Sequence, residues 1–150
     1  MHKVIKIKDI SQAEVIGRRI GASLRGGEVI EFVSDLGGGK TTLTRNIVAG
    51  TGSKDHVSSP TFTISNVYNA KNFSIYHFDF YRLSEAGLME HELSDVLDDK
   101  SNVVIVEWSD VARHVLPTDR LTIQINTTGE TSRELICDFP ESLKYILGDL

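Results

Sequence analysis

The chain has 150 residues, 40% hydrophobic and 25% charged, so it is long enough to bury a core and fold as a single domain without staples. One cysteine, Cys137, excludes an internal disulfide and favours a reducing compartment. The formal net charge of −5 argues against a main role in holding a nucleic-acid backbone, and no apolar run approaches the roughly 20 residues that span a bilayer. Charges recur from Lys3 onward, before an apolar segment of signal-peptide length accumulates. The expectation is a cytoplasmic protein with nucleotide or protein partners and no membrane association.

Taken in chain order, Val4 to Ile7 alternates as a short strand. Ser11-Gln12-Ala13-Glu14 has the form of a capping box. Ala13, Ile16, Ile20 and Leu24 then recur at helical spacing, and Gly26-Gly27 stops that helix. Val29 to Val33 gathers β-branched and aromatic residues and reads as a buried parallel strand. A Gly-rich loop from Ser34 to Gly39 follows. Lys40 to Ala49 resumes as a helix with Leu43 and Ile47 on one face.

Thr61 to Tyr68 and Phe73 to Phe78 read as a hairpin around Ala70-Lys71-Asn72. Glu85 to Asp98 reads as a mostly exposed helix. Val103-Val104-Ile105-Val106 is all β-branched and reads as a central parallel strand. Leu121 to Ile125 and Glu134 to Phe139 predict a second hairpin with its turn near Gly129, and Ser142 to Leu147 a terminal helix. The predicted architecture is α/β and P-loop NTPase-like: a mostly parallel central sheet flanked by helices, with antiparallel hairpin additions.

Ser34-Asp35-Leu36-Gly37-Gly38-Gly39-Lys40-Thr41 fits the phosphate-loop pattern G-x-x-x-x-G-K-[ST], with Ser34 in place of the first glycine. Glycines let successive amides turn inward onto phosphate oxygens, and the following helix adds the positive end of its dipole. The pattern assigns Gly37, Gly38, Gly39, Lys40, Thr41 and Thr42 to ATP. Lys40 supplies a cation to the β- and γ-phosphates, and the Thr41 hydroxyl is a Mg²⁺ ligand. A Gly-rich turn that binds nothing is the alternative; a buried-type strand before it and a helix after it favour the phosphate loop.

A magnesium-bound triphosphate usually has a carboxylate nearby. Glu107 ends the apolar run Val103 to Val106, on the sheet edge where α/β proteins bind ligands. Asp79 ends a second predicted strand in His77-Phe78-Asp79-Phe80-Tyr81-Arg82. Alone, Asp79 reads equally well as an ordinary polar strand end. His77 reads as structural rather than as a base or ligand. Trp108, the one tryptophan, reads either as a stacking surface or as packing. Cys137 reads as a small core residue.

In this order, GGGKTT, SSPTFT, HFDFYRL and VIVEW resemble the TsaE (YjeE) family, from about Val4 to Phe139. The resemblance implies a small P-loop ATPase acting with the TsaD and TsaB proteins to make threonylcarbamoyladenosine on tRNA. TsaD would perform the transfer, hydrolysis by the present chain would support repeated turnover, and tRNA contact would be indirect. It also implies a switch-like Ser59-Pro60-Thr61-Phe62-Thr63 segment and functional roles for Asp79, Tyr81, Arg82, Glu107 and Trp108. Arg133 resembles an arginine of the family's last hairpin, which makes it a candidate nucleotide contact. Ser109 stands where the family often has proline, and the sequence leaves open what that does to the loop after Trp108.

The mechanism expected is hydrolysis by electrostatic positioning. Lys40, Asp79 and Glu107 carry the chemistry, and Thr41 and Glu107 hold the metal. Asp79 either orients the attacking water or completes the metal shell. The main alternative is a small-molecule P-loop kinase, but little chain remains for an acceptor pocket or lid. A GTP switch lacks its N-K-x-D base-reading motif here.

Overall fold

The computed structural model describes residues 1–34, 39–58, 60, 65–81, 83 and 87–150. Its strands are β1 (His2–Ile7), β2 (Val29–Val33), β3 (Ser65–Asn69), β4 (Ser74–Asp79), β5 (Asn102–Glu107), β6 (Leu121–Thr127) and β7 (Arg133–Asp138). Its helices are α1 (Ile10–Ser23), α2 (Lys40–Gly50), α3 (Leu88–Asp98) and the single turn α4 (Lys144–Leu147). Short 3₁₀ turns at Ser109–Val111 and Arg113–Val115 follow β5, and another at Glu141–Leu143 leads into α4.

The strands form one seven-stranded sheet in the order β1-β7-β6-β2-β5-β4-β3. Its centre is parallel, through the pairs β6–β2, β2–β5 and β5–β4. Antiparallel additions finish both sides: β3 on β4, and β7 and β1 beyond β6. This is the predicted parallel core with hairpin extensions. The expected hairpin strand from 61 is described only from Ser65, and positions 61–64 lie outside the described residues. The same holds for positions 85 and 86 of the expected helix, which is described from Leu88.

β5 is buried on both faces, as its all-β-branched run requires. On one face Ile30, Phe32, Ile75 and Ile105 pack with Ile20, Leu43 and Ile47 of α1 and α2. On the other, Phe78, Phe80, Val104 and Val106 pack with Leu93 of α3 and with Ala112 and Leu116 after β5. Cys137 is a core residue as expected, and burial pushes its thiol up to about 12.

α1 and α2 pack closely because Gly21 has no side chain: a Cβ there would lie 1.9 Å from the Ile47 carbonyl oxygen. The start of α1 corrects the sequence expectation. Its cap is Asp9, whose Oδ1 accepts from the Gln12 amide at 2.8 Å, while Gln12 Oε1 accepts from the Lys8 amide at 2.7 Å. A short carboxylate next to the first apolar residue serves the same reciprocal logic two residues before Ser11.

Candidate nucleotide-binding site

β2 ends at Val33 on the carboxyl edge of the parallel sheet, with Ser34 just beyond it, and α2 begins at Lys40. Gly39 caps α2 at φ 95°, a left-handed conformation that disfavours any side chain. Among the described residues no side chain caps the helix, and its first-turn N–H groups have no intrahelical acceptor. Lys40 opens α2 and is 7% exposed. Its Nζ donates to the Ser34 carbonyl at 3.0 Å and lies 4.3 Å from the centroid of the Trp108 ring. Thr41 and Thr42 follow in the first turn. Gly37 and Gly38 lie outside the described residues, as do Ser59, Thr61, Phe62, Thr63 and Arg82 of the expected motifs.

The two predicted acids meet. β4 and β5 are parallel and in register, with Asp79 opposite Glu107 at their shared carboxyl ends. The Phe80 amide donates to the Glu107 carbonyl at 3.1 Å, holding the two exits together. Burial raises the Asp79 carboxyl above its ordinary range, and the nearby Glu107 charge adds to this. The Tyr81 amide, which donates to Oδ1 at 3.0 Å, together with His77 and Lys40, offsets part of that rise. Glu107 is 2% exposed, and its Oε2 lies 2.5 Å from Nε2 of the fully buried His77. His77 is buried as a structural residue would be, yet its bond ties it to the site.

The segment after β5 is anchored partly by motif residues and partly by Glu31, Arg113 and Arg120, which no sequence motif flagged. Trp108 has φ 54°, the only described non-glycine residue with positive φ, and its ring lies 4.9 Å from that of Tyr81. Ser109, whose effect the sequence left open, ties this loop to β2. Its hydroxyl donates to Glu31 Oε2 at 2.6 Å, a bond that proline could not make. Glu31 also accepts from Arg113 Nε at 3.4 Å, Arg120 Nε at 3.3 Å and the Thr122 hydroxyl at 3.2 Å. Burial alone would raise the Glu31 carboxyl, but the Ser109 bond and the two guanidinium groups outweigh it and hold it below the usual carboxylate range. A single Glu inside an apolar strand carried no signal, because its partners lie about 80 to 90 residues away.

Arg133 begins β7. Its Nη1 donates to the Ser132 carbonyl at 2.7 Å and the Gly129 carbonyl at 3.1 Å, which stitches the β6–β7 turn. Its Nε would lie 3.7 Å from a Cβ on Gly39, so it borders the start of α2. A cleft of about 390 Å³ opens there, with Ile10, Leu43 and Ile125 among its apolar walls and Thr42 and Arg133 among its polar groups.

Among the described residues no three His, Cys, Asp or Glu side chains cluster as a self-sufficient metal cage. Among the described residues the predicted donors are all oxygen: the Thr41 hydroxyl and the carboxyls of Asp79 and Glu107. That set fits Mg²⁺, which is usually held by one or two carboxylates and completed by water and substrate phosphates. No helix among the described residues is long and apolar enough to cross a membrane.

The family model described as threonylcarbamoyl adenosine biosynthesis protein TsaE matches residues 7–135. The chain is 37% identical over 128 residues to the tRNA threonylcarbamoyladenosine biosynthesis protein TsaE of Bacillus subtilis, covering 83% of this chain and 77% of that protein. It is 38% identical over 124 residues to the TsaE protein of Streptomyces coelicolor, covering 80% and 83%. Among solved structures it is similar to the crystal structure of Bacillus subtilis YdiB. That match has a TM-score of 0.75 at 27% identity and covers 97% of this chain and 91% of the other.

Proposed function

From the premise that this chain belongs to the TsaE family, we propose that it is a Mg²⁺-dependent ATPase supporting threonylcarbamoyladenosine formation on tRNA alongside the TsaD and TsaB proteins. One observation carries the chemical part. Lys40, at a glycine-capped helix start, shares the carboxyl edge of the sheet with two in-register acids, Asp79 and Glu107. That edge is where an α/β sheet meets its ligand, and a cation facing paired carboxyls suits a metal–triphosphate.

In this reading the α2 amides and Lys40 hold the phosphates, Lys40 giving up the Trp108 face for the β- and γ-oxygens. Thr41 and Glu107 hold the metal, directly or through water. Bound Mg²⁺ would neutralise charge on the β- and γ-phosphates. Asp79 either orients the attacking water or completes the oxygen shell. Its raised affinity for a proton suits a carboxyl that accepts one from water. The apolar cleft beside Thr42 would take the nucleoside, with Arg133 at its mouth.

The test is equilibrium binding of a fluorescent ATP analogue in the presence of Mg²⁺. Lys40→Ala should weaken binding by roughly 10-fold or more, the loss expected for one charge-assisted phosphate contact. Unchanged affinity in a folded Lys40→Ala variant would overturn the assignment. Glu107→Gln should weaken binding only when Mg²⁺ is present. Asp79→Asn separates its two roles: lost affinity marks the metal shell, and lost turnover alone marks the water.

A further inference from the structure

His77 has no part in the mechanism above, yet its place in the fold is unusual. β4 and β5 run parallel, with His77 opposite Ile105 and Asp79 opposite Glu107. Residues two apart on a strand share a face. His77, Asp79 and Glu107 therefore point to the same side of the sheet, the side where Ile75 and Ile105 meet α2. The imidazole is fully buried, with the Tyr68 ring 6.4 Å away.

Its Nε2 lies 2.5 Å from Glu107 Oε2, and its Nδ1 is buried with no hydrogen-bond partner among the described residues. A neutral ring with its proton on Nε2 satisfies this arrangement best. It donates to the carboxyl and leaves only a lone pair unmatched, whereas a proton on Nδ1 would bury an N–H without an acceptor. A buried acid bonded to a half-satisfied imidazole is a poor way to stabilise a strand pair, since apolar side chains of similar volume often serve as well or better.

What the bond does supply is direction. A carboxyl on a two-carbon stem can rotate, and a single strong donor on Oε2 fixes its plane. Oε1 makes no hydrogen bond to a described residue and is the oxygen left for a ligand. We propose that His77 is the positioning residue for Glu107, holding its carboxyl so that Oε1 meets the cation of a bound metal–nucleotide. This rests on the reading of Glu107 as a metal-side residue. Groups that orient a metal ligand through its second atom commonly change metal affinity 10- to 100-fold when removed.

The experiment is a Mg²⁺ titration of nucleotide binding, followed with a fluorescent ADP analogue in wild-type protein, His77→Phe and His77→Gln. Phe keeps a ring but removes the donor, while the Gln amide can return an N–H near the Nε2 position. In EDTA all three should bind the nucleotide within about twofold of each other, because the phosphate contacts do not involve His77. The Mg²⁺ concentration for half-maximal enhancement should rise about 10-fold or more in His77→Phe and return most of the way in His77→Gln.

A Mg²⁺-dependent wild type with an unshifted His77→Phe would overturn the positioning role alone. A wild type indifferent to Mg²⁺ would overturn the reading of Glu107 and this proposal with it. Equal weakening of His77→Phe with and without Mg²⁺ would mark His77 as packing and also overturn the proposal. Should His77→Phe fail to fold, ¹⁵N spectra of the wild-type ring decide. A protonated Nε2 whose resonance moves when Mg²⁺ is added to the ADP complex supports the role; a ring protonated on Nδ1, or an unmoved resonance, contradicts it.

Discussion

The ammonium of Lys40 lies over the ring of Trp108, 4.3 Å from its centroid, so the predicted phosphate-binding cation rests on the face of the chain's one tryptophan. A cation held this way is worth about 0.5–2 kcal/mol, less than a charge-assisted bond to phosphate offers. Phosphate should therefore draw Lys40 away. Tryptophan emission should change when Mg-ATP is added to the wild type, and Lys40→Ala should shift the starting emission and lose the nucleotide response. Emission indifferent to saturating Mg-ATP would contradict the coupling.

Asp79 and Glu31 are carboxyls shifted in opposite directions, and their pH signatures differ in sign. The Asp79 value is raised in the fold from 3.8, so folding favours its protonated form and the charged form opposes folding. Any strain is absent below about pH 4 and fully present once pH exceeds the folded value. Asp79→Asn should raise Tm by about 2 °C or more at pH 7, with the gain fading toward pH 4. The same variant should lower phosphate release by about 100-fold. Thermal melts paired with turnover measure both; a variant less stable than wild type at pH 7 would contradict the account.

The Glu31 value is lowered from 4.5, so its contribution is present above that pH and is lost as pH falls through the folded value. Glu31→Gln leaves Arg120, 21% exposed, without its acid, while half-exposed Arg113 is partly compensated by water. The expected cost is about 2 kcal/mol at pH 7, toward the low end for a broken buried pair once that exposure is allowed for. Urea midpoints at pH 7 and below pH 4 should show the gap close on acidification, and a gap that widened would contradict the assignment.

Gly21→Ala tests the contact between α1 and α2. The added methyl would meet the Ile47 carbonyl oxygen at 1.9 Å and its carbon at 2.9 Å, which is rigid helix backbone. The helices must separate, at a cost of about 3 kcal/mol read as a lower urea midpoint. A variant as stable as wild type would show that the packing yields more easily than this geometry allows.

The strand and helix that flank the candidate phosphate loop were legible because their signals are local. β2, the glycines, Lys40 and the helical run of Leu43 and Ile47 follow one another in the chain. The all-β-branched run before Glu107 marked a strand buried on both faces and so set its acid at the carboxyl edge of the sheet. The pairing of Asp79 with Glu107 followed less directly, since it depends on β4 and β5 being adjacent and in register. The start of α1 was misread because two overlapping segments both have capping chemistry, and only the backbone distinguishes Asp9 from Ser11.

The rest was hidden by sequence distance. Ser109, Arg113 and Arg120 converge on Glu31 only once β2, β5 and β6 are assembled, and a lone Glu in Val29–Val33 carries no periodic mark. The bond from His77 to Glu107 spans 30 positions, and nothing near either residue announces the other. Lys40 over Trp108 likewise depends on the left-handed turn at Trp108, a conformation that sequence does not ordinarily disclose for a tryptophan.

The most direct measurement is phosphate release from Mg-ATP by this chain alone, by the chain with its cognate TsaD and TsaB proteins, and by Lys40→Ala in both settings. The account predicts slow release alone, faster release with the pair, and near-complete loss in Lys40→Ala. A rate that the partners leave unmoved, or that Lys40→Ala retains in full, would contradict it.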